Sequence, residues 1–341
     1  MDGSDNLNLL SKHRSVIMGI AMMMIVLYHQ PFSTFPGSAL IHRYGMLGVD
    51  IFLFLSGFGI YFSLAKSKDK SIGSFYRRRL VRILPTAILA GLLVTIPCGA
   101  PSSHPWSLSV TGLNLWYIRS ILLLYLIAPF LFCYYKKFHA SYCCFFILAA
   151  AVVVATILFH QLLIPHFSIY HPIVQTVTWT LCRSHAFAIG MFLAMRAERG
   201  MPESGKLWIT LAALLSLPTL VEFPHILFSP FKFHHYVAIF AFTSLLPLLI
   251  VTTVFACRIA EHTPRLVLIP MKWLGTYSLE IYLVHEAIFY VWGTSHLQAR
   301  GSVMLSLAMG LSLLAAWLLH WLSARVTGFL AARFPRMSPQ A

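Results

Sequence analysis

The chain has 341 residues, of which 58% are hydrophobic and only 10% charged, with a mean hydropathy of +0.76. That composition excludes an ordinary soluble domain and indicates a polytopic membrane protein. The net charge of +15 does not signal nucleic-acid binding, because the basic residues fall in short clusters between apolar runs, as topology determinants do.

A membrane span needs about 20 apolar residues, and about ten such runs can be read along the chain. They lie near 15–35, 46–65, 83–99, 113–134, 141–163, 173–195, 207–223, 236–257, 273–293 and 302–324. The first run continues past any small-residue cleavage site, so it is expected to remain in the mature protein. With the amino terminus in the cytoplasm, twenty Lys and Arg residues fall in inner segments, against Arg43, Lys232 and Arg300 outside. This bias predicts that both termini are cytoplasmic. No internal repeat or low-complexity tract is seen, and no soluble appendage is expected. Residues 1–341 are therefore expected to form one all-α transmembrane domain, a bundle of about ten helices. The six cysteines, Cys98, Cys133, Cys143, Cys144, Cys182 and Cys257, have no metal or disulfide spacing and read as small apolar packing residues.

Within the first run, His29 is an ionisable group at membrane depth, which costs free energy unless it faces a cavity or a partner. It follows the basic end Lys12, His13 and Arg14 by roughly 20 Å of helix at 1.5 Å per residue. Asp50 lies just after the outer start of the second run. Antiparallel geometry puts the two at similar depth, where a carboxylate can hold the imidazole tautomer and stabilise the imidazolium of a general base. The competing structural reading has His29 bonded to a backbone carbonyl and Asp50 capping its helix. Further on, FYRRRLVRILP (Phe75 to Pro85) places Arg78, Arg79 and Arg82 on one helical face near the cytoplasmic rim. Guanidinium forks there suit a phosphorylated cytoplasmic ligand; a topology anchor on anionic lipid is the competing reading.

Trp116 and Tyr117 precede Arg119 near the outer side of the fourth run. Arg119 is suited either to a developing oxyanion or anionic acceptor, or to an ion pair with an acid such as Asp50. Arg183 and His185, deeper in the sixth run, could serve similarly, with a structural role as the competing reading. In the ninth, Ser278, Tyr282 and His285 recur on one face and could line the same cavity as His29, whereas Glu280 points elsewhere toward a neighbouring cation. Ser56, Gly57 and Gly59 let another backbone approach closely and read first as packing devices. His42, His104, His166, His171, His225, His234, His235 and His296 fall in or beside the outer segments. They are read as interfacial or acceptor-side groups, and no metal is expected.

Five segments together resemble the membrane-bound acyltransferase family 3. They are GIAMMMIVLYH ending at His29, GVDIFLFLSGFGIYF (Gly48 to Phe62), FYRRRLVRILP, LWYI (Leu115 to Ile118) followed by YLIAP, and LGTYSLEIYLVH (Leu274 to His285). The resemblance implies an enzyme that uses cytoplasmic acyl-CoA, here acetyl-CoA by family habit, to acylate hydroxyl groups of glycans outside the bacterial cytoplasmic membrane. The expected partners are membrane lipid, a glycan or other hydroxyl acceptor, and a separate acyl-accepting protein if transfer is not direct. Under it His29 and Asp50 are the catalytic candidates, and Arg78, Arg79 and Arg82 the donor-binding ones. Trp116, Arg119, Ser278, Tyr282 and His285 line the cavity. Most relatives carry an arginine at the position of Met18, so Arg14, one turn earlier, is the candidate replacement. Direct transfer and an acyl-histidine intermediate both stand. A transporter is the alternative from another class, disfavoured by the lack of an inverted repeat or paired broken helices. A haem protein with His29 and His285 as axial ligands is a weaker third reading.

Overall fold

A computed structural model describes residues 3–29, 44–67, 71–95, 116–163, 172–201, 204–221, 235–294 and 301–333. All regular elements among them are helical. In chain order they are α1 (Gly3–His29), a single 3₁₀ turn (Gly45–Leu47), α2 (Gly48–Ala65), α3 (Ile72–Ala90), α4 (Trp116–Lys137), α5 (Tyr142–Leu163) and α6 (Pro172–Glu198). There follow α7 (Gly205–Val221), with π geometry over Ala212–Ser216, then α8 (His235–Ser244), α9 (Leu246–His262), α10 (Arg265–Thr276), α11 (Ser278–Thr294) and α12 (Gly301–Arg333).

Five helices among the described residues are long and apolar enough to cross a membrane: Asn8–His29, Gly45–Ala65, Trp116–Lys137, Tyr142–Phe159 and Ser306–Phe329. In the apolar window of α5 only 17% of residues are buried, leaving Phe146, Ile147, Val154 and Leu158 more than half exposed. Such a surface is unsustainable in water and natural in hydrocarbon. The other expected runs are also helical, but their continuity differs from the sequence reading. The run 236–257 is broken at Leu245, because Pro247 at the start of α9 has no N–H to continue the ladder from α8. Tyr277 likewise separates α10 from α11.

The chain divides into two compact units. The first comprises Met1–Met18, Val49–Ser67 and Ser120–Ile269. In it α6 packs on α5 and α8, and α9 on α7. α2 and α6 cross backbone to backbone at a reciprocal pair of glycines. A Cβ on Gly57 would stand 2.0 Å from the Phe187 carbonyl oxygen, and one on Gly190 would stand 2.1 Å from that of Phe54. The sequence reading of Gly57 as a packing device is what this crossing displays. Gly57→Val is expected to abolish recovery of folded protein from detergent, because backbone rather than a movable side chain occupies the space; size-exclusion chromatography of the extracted variant checks this. At another edge of the unit, Glu261 accepts hydrogen bonds from Lys12 Nζ (2.5 Å) and His13 Nε2 (2.6 Å). These bonds hold its carboxyl down to about 2.

The second unit comprises Gly19–Gly48, Lys68–Arg119 and Pro270–Ala341. Its centre is α11, packed against α12 and α3. The latter half of α1 is fixed by close backbone approaches. A Cβ on Gly19 would lie 1.9 Å from the Met271 carbonyl oxygen of α10, and one on Gly48 would lie 2.6 Å from that of Ala21. The partner of Glu280 is the imidazole of His320 in α12, whose Nδ1 lies 2.8 Å from Oε1. The latter half of α1 is therefore held up to the turn that carries His29.

Candidate active site

The second unit brings together most of the residues singled out in the sequence. His29 ends the described part of α1, half-buried, and its Nδ1 lies 2.9 Å from the Ile25 carbonyl oxygen. The same nitrogen lies 3.2 Å from Nε2 of His285, 256 residues away in sequence. The two rings meet edge to face, with centroids 5.1 Å apart. His285 is fully buried, with Nδ1 2.9 Å from the Ile281 oxygen and 3.0 Å from that of Tyr282. Thus His285 does more than line a cavity with His29: it touches it.

Aromatic rings surround the pair. Tyr28 packs against His29, Tyr282 and Phe289 flank His285, and Tyr117 at the start of α4 packs on Tyr282 at 5.0 Å. Trp116 is half-buried beside Tyr117. Arg119 is within electrostatic reach of the Tyr282 hydroxyl, and its buried Nε has no hydrogen-bond partner among the described residues. Ser278 is buried on α11, one turn before Tyr282. The spacing reading of that helix is reproduced as a helical face bearing Ser278, Tyr282 and His285.

On α3 the basic cluster is helical as expected. Arg78 Nη1 donates to Ser74 Oγ at 3.2 Å, Arg79 stacks over Phe75 at 5.6 Å, and Arg82 is exposed. Pro85 follows within the helix, where it removes a backbone hydrogen bond to the carbonyl four residues earlier and favours a bend.

Asp50 and Arg14 belong to the first unit. The carboxylate of Asp50, in the first turn of α2, accepts a 2.7 Å hydrogen bond from Nη1 of Arg183. The guanidinium of Arg183 is buried between Phe242 (4.2 Å) and Trp179 (5.5 Å). The partner of Asp50 is therefore Arg183. Removing one member of a buried pair strands the other charge. Asp50→Ala is expected to cost about 3 kcal/mol of stability, with Asp50→Leu/Arg183→Met losing less than the sum of the single changes, measured by denaturation in detergent. His185 is spent on structure: its Nε2 donates to the Ala149 oxygen at 3.2 Å while Nδ1 accepts from Thr243 Oγ1 at 3.0 Å. Arg14 rests its guanidinium against Gly59, 3.0 Å from where a Cβ would stand. Among the outer histidines, His42, His104, His166, His171, His225, His234 and His296 lie outside the described residues, and only the backbone of His235 is described.

The long apolar helices mark an integral membrane protein. The family model of acyltransferase family 3, described as an acyltransferase domain, matches residues 16–321. The chain belongs to that family and is a membrane acyltransferase. The matched segment contains every site residue named above except Arg14. No curated protein and no solved structure gives a significant match.

Proposed function

We propose that the protein is an O-acyltransferase that moves an acetyl group from cytoplasmic acetyl-CoA to a hydroxyl of an extracytoplasmic glycan, with His29 as general base. The observation that carries this reading is the His29–His285 contact, in the unit that also holds Arg78, Arg79 and Arg82. An imidazole with a fixed polar partner, on a helix of a membrane acyltransferase, is equipped to take a proton from a hydroxyl. The bundle has about ten spans with both termini cytoplasmic, as the bias of twenty inner cations against three outer ones supports. The membrane is that of a bacterial cell.

Arg78, Arg79 and Arg82 bind the phosphates of the donor from the cytoplasm. Arg14 is added as a further phosphate contact on sequence grounds alone. The slim pantetheine arm carries the thioester into the membrane. His29 takes the proton of the acceptor hydroxyl as its oxygen forms a bond to the thioester carbonyl carbon. Collapse of the tetrahedral intermediate breaks the C–S bond, and the departing thiolate recovers the proton from His29. Arg119, with a donor to spare, stabilises the negative charge on the carbonyl oxygen or an acidic acceptor.

The test is incubation of purified protein in detergent with radiolabelled acetyl-CoA and a crude bacterial glycan extract. Label in the glycan together with released CoA supports the reading. Absence of both, with acetyl-, succinyl- and longer acyl-CoA alike, overturns it.

A further inference from the structure

We propose that His285 is a positioning residue that fixes the tautomer of His29, so that Nε2 of His29 is the one nitrogen of the pair that can take the acceptor's proton. The inference rests on the acyltransferase reading above and follows from donor and acceptor counting. A neutral imidazole has one N–H and one lone pair. Nδ1 of His285 faces two carbonyl oxygens, Ile281 and Tyr282, and neither has a proton to give. That nitrogen must therefore carry hydrogen, and Nε2 of neutral His285 carries the lone pair. The lone pair faces Nδ1 of His29 at 3.2 Å. Nδ1 of His29 in turn faces the Ile25 oxygen at 2.9 Å, so it must be an N–H shared between two acceptors. The lone pair of His29 is left on Nε2.

This assignment is the one neutral arrangement in which none of the four contacts sets two lone pairs against each other. It also survives the reaction. When Nε2 of His29 accepts the hydroxyl proton, Nδ1–H keeps both its partners, and the imidazolium gains from an acceptor already in place. A proton on Nε2 of His285 would instead confront the N–H of His29, so that ring is excluded as the base. The fully buried position of His285 removes water as a competing partner. The role given to a carboxylate in the familiar triad is thus filled here by a second, neutral histidine.

Two substitutions that differ by one methylene separate positioning from packing. His285→Asn keeps a donor for the helix carbonyls but is too short to reach His29. His285→Gln extends an amide oxygen to the place of Nε2. The full chain in detergent is assayed with radiolabelled acetyl-CoA and crude glycan extract, and thermal melting of each variant is followed alongside. His285→Asn is expected to lower kcat about 100-fold with KM for acetyl-CoA within about twofold, and His285→Gln to recover at least about tenfold of that loss. Equal activity of wild type and His285→Asn overturns the inference, as does an equal loss in both variants at unchanged melting temperature. If wild type transfers acetyl while His29→Ala does not, either of those results condemns the role of His285 alone. If wild type transfers nothing, the acyltransferase reading fails and this inference falls with it.

Discussion

His29→Ala is expected to lower kcat for acetyl transfer by about 10²- to 10⁴-fold, the range a positioned general base supplies, while leaving acetyl-CoA affinity within about twofold. Both halves follow from the geometry. The ring is held through Nδ1 by the Ile25 oxygen and His285, so its loss removes the proton acceptor and leaves His285 facing a void. The cationic cluster proposed for the donor sits on another helix, α3, and is untouched by the change. Steady-state kinetics against acetyl-CoA, with equilibrium binding of the inactive variant to CoA, separates the two terms. A fall in affinity equal to the fall in rate would make His29 a donor-binding residue instead.

The second large effect is on the donor. Arg78→Ala/Arg82→Ala is expected to raise KM for acetyl-CoA about 30-fold with kcat at saturation little changed. Charge-assisted hydrogen bonds to phosphate contribute about 1.5–3 kcal/mol when well formed. Arg82 is exposed and Arg78 half-exposed, so solvent screening reduces this to about 1 kcal/mol each, and 1.4 kcal/mol is tenfold. The wild-type KM should rise with ionic strength more steeply than that of the variant. Unchanged KM in the variant would leave the cluster as a topology anchor on anionic lipid.

The parts of this account legible in the sequence are those set within one helix. The span within α1 follows from the length of its apolar run, and the helical face of α11 and the clustering of Arg78, Arg79 and Arg82 from a period of 3.6 residues. Pairings between helices were not legible. Counting residues along antiparallel spans gives Asp50 and His29 a similar height and says nothing of the partner each takes. The partner that Asp50 has is Arg183, 133 residues on. The helical face of α11 and the family resemblance put His285 near His29, but no local pattern says that two rings 256 residues apart share a hydrogen bond. The breaks at Leu245 and Tyr277 interrupt unbroken apolar runs. Pro247, midway along the first run, is the available signal there, since proline is favoured in the first turn of a helix; nothing comparable marks the second. Glu280 shows the opposite case: its angle on α11 already excluded the Ser278–Tyr282–His285 face, and His320 confirms that direction.

The most direct test of the central claim is transfer across a sealed bilayer. Proteoliposomes are loaded with radiolabelled acetyl-CoA, bathed in crude glycan extract, and made with wild type or His29→Ala. The account predicts label on the outside glycan with wild type and, for His29→Ala, a signal at least about 100-fold lower. Equal label from the two preparations would contradict it, because the imidazole would then have no part in moving the acetyl group.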